Sequence, residues 1–113
     1  MAAPVLVAGY TGLLATAINI REQDCNVVGY HIYNGSNATA FVQFYDASRG
    51  AETPSVGTTV AKWVVAIPTL TQAFMMFPVA GLFFRGGLWM AATTTVNGSS
   101  APSAALTVSV AMA

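Results

Sequence analysis

The side chains best suited to covalent or acid–base chemistry are one histidine, His31, and one cysteine, Cys25. A catalytic nucleophile needs an adjacent base or a cationic neighbour that lowers its pKa. Cys25 lies between Asp24 and Asn26, which offer no positive charge, and the sequence holds no G-x-S-x-G turn for His31 to serve. We therefore expect Cys25 to be a small buried residue and His31 a strand residue facing solvent or a subunit interface.

Metal and phosphate chemistry have as little support. The four carboxylates are Glu22, Asp24, Asp46 and Glu52, and their spacing does not match a calcium loop. Only a weak cation site around Glu22 and Asp24 is conceivable. Gly86 and Gly87 lack the further glycines and the helix of a phosphate-binding loop, so they predict a turn or bulge. We expect no catalytic residue, no cofactor and no resident metal ion, which indicates a protein that is not an enzyme.

The composition is unusual for an isolated globular protein. Hydrophobic residues make up 55% and charged residues 7% of the 113 residues, whereas roughly 45–50% and about 25% are typical. So few charges suggest that a bilayer or neighbouring subunits cover part of the surface. The net charge is zero and the four cations are scattered, which argues against nucleic acid as a partner.

Of the bilayer and the neighbouring subunits, the bilayer is the less favoured explanation for the small number of charges. Residues 63–84 carry no charge and are long enough to cross a bilayer. However, Pro68 and Pro78 would break a helix there, and the polar residues Thr69, Thr71 and Gln72 interrupt it. Residues 1–20 lack the basic start of a signal peptide. We therefore expect neither a span nor a leader, and a holin-like membrane protein is only a third hypothesis.

Short runs rich in β-branched and aromatic residues alternate with Gly, Pro, Asn and Ser, and the runs show a period of two. This pattern predicts one all-β domain over residues 1–113, a single antiparallel β-sandwich of about eight strands. Jelly-roll, Greek-key and immunoglobulin-like strand orders all remain open. The predicted strands are 14–21, 26–34, 38–46, 58–67, 71–77, 81–85, 87–96 and 104–112. Residues 5–8 could add a short edge strand, and residues 34–37 are predicted to form a tight hairpin turn.

Two predicted strands, 71–77 and 87–96, are apolar on both faces. Only one face of a sheet meets the core of a sandwich, and no sequence remains for helices that would cover the other. Aromatic residues and methionine with little charge are typical of interface cores. The chain is therefore predicted to bind copies of itself or another protein. The interface candidates are Phe74, Met75, Met76, Phe77, Leu82, Phe83 and Trp89.

Several short segments in a fixed order carry a resemblance to a known group of proteins. They are YN at 33–34, FVQFYDA at 41–47, PSVGTT at 54–59, IP at 67–68, FP at 77–78, GLWMAATT at 87–94 and AP at 101–102. This order, over residues 30–112, resembles small virion proteins of tailed bacteriophages. The motifs carry no chemistry, and the resemblance supplies no catalytic residues.

The resemblance implies a structural role on the phage particle, above all that of a capsid decoration (cement) protein that stabilises the shell as a homo-oligomer, for instance a trimer. Its partners would be its own copies and the major capsid protein or another virion protein, assembled in the bacterial host cytoplasm. A tail or head-fibre attachment component is the alternative within this class. A carbohydrate-binding β-sandwich is the alternative outside it, with six aromatic residues as stacking surfaces: Tyr10, Tyr30, Tyr33, Tyr45, Trp63 and Trp89.

The two-sided pattern of residues 71–77 makes Met76 a direct test of the interface. We expect Met76→Asp to change the oligomer mass or the thermal stability, because a carboxylate would enter either the core or a subunit contact. Light scattering and a thermal melt measure both quantities. An unchanged mass together with an unchanged melting temperature would contradict the assignment.

Overall fold

The computed structural model describes residues 6–47, 53–77 and 81–113, and these ranges contain nine β-strands and no helix. The strands are β1 Leu6–Leu13, β2 Ile18–Arg21, β3 Cys25–Asn34, β4 Ala40–Asp46, β5 Trp63–Ile67, β6 Thr71–Met76, β7 Leu82–Phe84, β8 Leu88–Thr93 and β9 Leu106–Met112. Within these ranges no helix has the length and hydropathy needed to cross a membrane.

The strands form two antiparallel sheets. Sheet 1 has the order β1-β9-β3-β6, and the short strand β7 also pairs with β3. Sheet 2 has the order β2-β8-β4-β5. The two sheets enclose one core, in which Tyr30 of sheet 1 and Phe44 of sheet 2 have ring centroids 5.5 Å apart. The predicted antiparallel β-sandwich is thus confirmed.

The strand order resolves the choice that the sequence left open. β1 pairs with β9, β2 with β8, β3 with β6 and β7, and β4 with β5. Such nested pairs arise when one long hairpin is rolled up so that its arms alternate between two sheets, and this is the jelly-roll topology. β7 is an addition to the eight strands of that pattern.

The first part of the chain differs from the sequence prediction. The strand expected at 14–21 is confined to Ile18–Arg21, and the optional short edge strand is the eight-residue β1. Gly9 and Gly12 lie within this strand, although glycine separates the predicted strands elsewhere in the sequence. β1 nevertheless continues through both glycines because β9 pairs along it, with a register irregularity between Tyr10 and Leu13.

A second irregularity lies in β3. Simple alternation would place Val27 and Tyr30 on opposite faces, yet both are buried in the core. The register with β9 shifts between Val27 and Gly29, which inserts one extra residue and reverses the alternation. Val27 therefore faces the core on the same side of the sheet as Tyr30, against simple alternation.

The turn predicted at 34–37 is a corner rather than a hairpin. β3 belongs to sheet 1 and β4 to sheet 2, so residues 35–39 carry the chain across the sandwich. Asn34 is fully buried at this corner, and its Nδ2 donates to the carbonyls of Ile67 at 2.8 Å, Ala38 at 3.0 Å and Pro68 at 3.2 Å. Its Oδ1 accepts from the backbone N of Ser36 at 2.9 Å. One amide therefore joins the β3–β4 crossover to the β5–β6 crossover.

We expect Asn34→Ala to lower the free energy of unfolding by about 3 kcal/mol, because the substitution leaves several buried backbone groups without partners. Asn37→Ala is the matched control in the same corner, since the contacts of Asn37 with Ser103 are exposed. It should cost less than about 1 kcal/mol. Urea denaturation of both variants makes the comparison, and equal losses would contradict the role given to Asn34.

Candidate interaction surface

Charge is segregated within the sandwich. The five strands of sheet 1 contain no Asp, Glu, Lys or Arg. The charged residues of the described ranges are Arg21, Glu22, Asp24, Asp46, Lys62 and Arg85. Each of them lies at the end of a strand (β2, β4 or β7) or just before the start of one (β3, β5 or β8). The strand registers, such as Asp46 opposite Leu88, place all these strand ends at one end of the molecule.

At this charged end the side chains tie strands of both sheets together. Lys62 Nζ lies 3.6 Å from Asp46 Oδ2, and it also donates to the carbonyl of Phe83. Asp24 Oδ1 accepts from the backbone N of Gly86 at 2.6 Å. A Cβ on Gly87 would stand 2.6 Å from the carbonyl of Ala47, so only glycine allows the strands to approach there. The predicted turn at 86–87 is thus confirmed as the crossover between β7 and β8.

The outer face of sheet 1, turned away from sheet 2, is a regular array. The registers align Val7, Ala111, Gly29 and Met76 in one row across the four main strands. They align Gly9, Ser109, His31 and Phe74 in the next row. In the first row the small residues Ala111 and Gly29 occupy the middle, between Val7 and Met76; in the second row His31 stands in the middle and Phe74 is the one large apolar side chain.

This arrangement makes a shallow, open groove of about 140 Å³ on the outer face of sheet 1. Val7 is 63% exposed on one side of it, and Phe74 and Met76 are 71% and 58% exposed on the other. Gly29 and Ala111 contribute to its lining. A Cβ on Gly29 would stand only 2.9 Å from the carbonyl of Met75, so glycine is needed at this position. The groove is apolar, and none of its lining residues carries a permanent charge.

The seven interface candidates divide according to the pleat. Phe74, Met76 and Phe83 point outward and are exposed. Met75, Phe77 and Leu82 point inward and pack against the core, where Phe77 lies edge-on to Trp63 at 5.5 Å. The outward residues are available to a partner, whereas the inward residues hold the sandwich together.

Trp89 and the outer face of β8 do not need the partner subunit that the two-sided apolar pattern of this strand predicted. Trp89 is half-buried, and its Nε1 donates to the carbonyl of Ala47 at 3.2 Å. The neighbouring outward residues Gln43, Tyr45 and Thr93 are fully buried. Within the described chain, residues of the loops at 53–62 and 94–100 lie against each other, with Gly57 beside Ser99, and Gln43 Nε2 donates to Gly98 O at 3.5 Å. The chain's own loops thus cover this face.

A hydrogen-bond chain under these loops shows that the cover is specific. Tyr45 Oη donates to Gln43 Oε1, Gln43 Nε2 donates to Thr93 Oγ1, and Thr93 Oγ1 donates to the carbonyl of Thr95, each at 2.8 Å. Burial raises the pKa of the Tyr45 hydroxyl, which keeps it protonated as a donor. Every side chain in this chain of bonds therefore has a partner from the protein itself.

The residues considered for chemistry are dispersed. His31 is exposed on the outer face of sheet 1 and pairs with Gln72, whereas Cys25 is buried at the charged end. Glu52 lies outside the described residues, and the described part of the chain contains no group of three or more His, Cys, Asp or Glu able to hold a metal ion. The six aromatic residues proposed for stacking are also separated, because Tyr30 and Tyr45 are buried.

Comparisons of the chain with protein-family models, curated proteins and solved structures found no match. The strand order itself defines the class of the protein, a jelly-roll β-sandwich in which the strands of one sheet contain no charged residue. The apolar contribution of Val7 to the groove was not foreseen from the sequence. Its neighbours on the outer face come from β9, roughly a hundred residues further along the chain. The pairing of β1 with β9 cannot be predicted from the residues close to Val7.

Cys25 supplies a direct test of the interior of the charged end. Burial raises the pKa of its thiol, and the Coulombic effect of Arg21 opposes this only in part. We expect a thiol reagent at pH 8 to label Cys25 slowly in buffer and rapidly in urea. Because the folded pKa is raised, this group's contribution to stability should be lost as the pH rises beyond its ordinary pKa of 9.0. Fast labelling of the folded protein would contradict the assignment.

Proposed function

We propose that this chain is a non-enzymatic structural component of a tailed-phage virion, acting as a homo-oligomeric capsid decoration protein. In this role the outer face of sheet 1 packs against other subunits. Its partners are its own copies and the major capsid protein, which it meets in the host cytoplasm during assembly. A tail or head-fibre attachment component would use the same surface.

The observation that carries the proposal is the uncharged sheet 1 with its exposed apolar outer face. Phe74, Met76 and Val7 stand together around one groove rather than being scattered. Contiguous exposed apolar surface marks interaction sites, and depletion of charge with enrichment in aromatic residues and methionine is characteristic of interface cores. In contrast, the outer face of sheet 2 is covered by the chain itself.

Two further considerations support the virion class. The segments at 33–102 resemble small phage virion proteins, and jelly rolls are common in viral capsid domains, although a fold by itself does not define a function. A particle also repeats each contact many times, so a weak contact per subunit becomes strong through multivalency. A modest apolar patch is sufficient under those conditions.

We expect Phe74→Asp to reduce the oligomer mass toward the 11.7 kDa of one chain, because an outward carboxylate would have to be desolvated in the contact. Val60→Asp is the matched control, since Val60 is an 86% exposed apolar residue outside sheet 1. It should leave the mass unchanged. Light scattering over a concentration series measures both variants, and a wild-type protein that stays monomeric throughout would overturn the homo-oligomeric role.

Membership of a particle requires a separate measurement. Phage particles from the host that carries this gene should contain the chain in many copies after density-gradient purification, as quantified by mass spectrometry. Absence of the chain from intact particles would overturn the virion assignment and leave only an oligomeric β-sandwich.

A further inference from the structure

Leu70 combines two unfavourable features. It lies in the turn between β5 and β6 with φ of 52°, in the left-handed region that a leucine rarely occupies, and its side chain is 69% exposed. Non-glycine residues held in this region are strained, and the strain is often retained where it has a function. An exposed leucine stabilises an isolated subunit very little. Both features are explained if Leu70 is displayed for contact with another protein.

The turn around Leu70 is held on both sides by hydrogen bonds. Asn34 Nδ2 donates to the carbonyls of Ile67 and Pro68, and Thr69 Oγ1 donates to the carbonyl of Ser36. Thr71 Oγ1 donates to the carbonyl of Thr69 at 3.0 Å. Since these bonds fix the residues flanking Leu70, the backbone of the turn loses little conformational freedom on binding.

The groove on the outer face of sheet 1 has the properties of a receptor for such a side chain. It is a depression of about 140 Å³ that opens to solvent, so a side chain from another molecule can enter it from outside. Val7, Gly29, Met76 and Ala111 give it a largely apolar lining, to which His31 and Ser109 also contribute. Leu70 cannot reach the groove of its own chain, because Phe74 and Met76 lie four and six residues further along an extended strand, roughly 13–20 Å away.

We infer that Leu70 of one copy inserts into the groove on the outer face of sheet 1 of a second copy. This inference rests on the proposed homo-oligomeric function and specifies its contact. The Leu70 side chain (the knob) and the groove are different surfaces of the same chain, so the contact is heterologous. Each copy provides one knob and one groove. Such contacts produce a ring where the rotation closes, as a trimeric subunit of a particle requires.

Charge and position favour a second copy as the occupant. The Leu70 turn lies at the end of the sandwich opposite the charged end, since Ile67 and Thr71 pair with Ala40 and Asn34 at the far ends of their strands. The groove lies in the sheet whose strands carry no charged residue. No Asp, Glu, Lys or Arg side chain of either surface would be desolvated in this contact, so the contact avoids the cost of burying charge.

The first experiment removes the knob without damaging the fold. Asn tolerates a left-handed conformation, so Leu70→Asn should raise the melting temperature of the dilute monomer by about 3–6 °C while the oligomer mass falls toward one chain. Val96→Asn is the control, because Val96 is also exposed and apolar at the uncharged end. It should keep the wild-type mass. An oligomeric wild type together with an equally oligomeric Leu70→Asn variant would overturn the inference and leave the proposed function standing.

The second experiment identifies the groove by disulfide trapping. Leu70→Cys alone and Ala111→Cys alone should remain single chains under mild oxidation, whereas a mixture of the two variants should give a covalent two-chain band. The native Cys25 is buried and serves as a silent background. A two-chain band from Ala111→Cys alone would indicate face-to-face packing of two outer faces and would overturn the heterologous contact. Absence of a band from the mixture would overturn it as well.

Discussion

The buried amide of Asn34 is the constraint on which the sandwich depends. The chain crosses between the sheets at the β3–β4 corner and again at the β5–β6 corner, and backbone groups at both corners turn inward, away from strand partners. Asn34 donates to Ile67 and Pro68 in one corner and to Ala38 in the other. An apolar residue of the same size would leave these carbonyls unsatisfied, so closing the roll without such a side chain would carry the cost of burying unpaired carbonyls.

The two sheets solve the problem of their outer faces in different ways. Sheet 2 is covered by the chain's own loops, and a hydrogen-bond chain from Tyr45 through Gln43 to Thr93 makes that cover specific. Sheet 1 has no comparable cover from the described residues, and Phe74 and Met76 remain exposed on it. Because the charged residues of the described ranges stand at one end, they do not shield this face. The asymmetry between the sheets therefore gives the molecule one surface suited to burial in an assembly.

The sequence predicted the features that depend on residues close together in the chain. The period-two pattern predicted a strand within residues 87–96, where β8 lies, and Cys25 is buried as expected. The misjudged features depend on distant pairing. β1 runs through Gly9 only because β9 supplies its partner, the bulge near Gly29 is a matter of register with β9, and the cover over Trp89 comes from loops elsewhere in the chain. For the same reason the groove was predicted only in part: Phe74 and Met76 of β6 were among the interface candidates, whereas its residues on β1, β3 and β9 were not.

The constraint in the core and the surface proposed for assembly are physically connected. Leu70 keeps a left-handed conformation next to residues whose carbonyls accept hydrogen bonds from Asn34, so the bonds that close the sandwich also hold the turn in its strained form. Strain of this kind persists only where surrounding structure over-determines it. The turn that displays Leu70 is thus fixed by the way the sheets are joined, and its conformation needs no contribution from the apolar side chains of the core. A substitution at Leu70 should therefore change fold stability and subunit contact in opposite directions, whereas a substitution at Asn34 should weaken both.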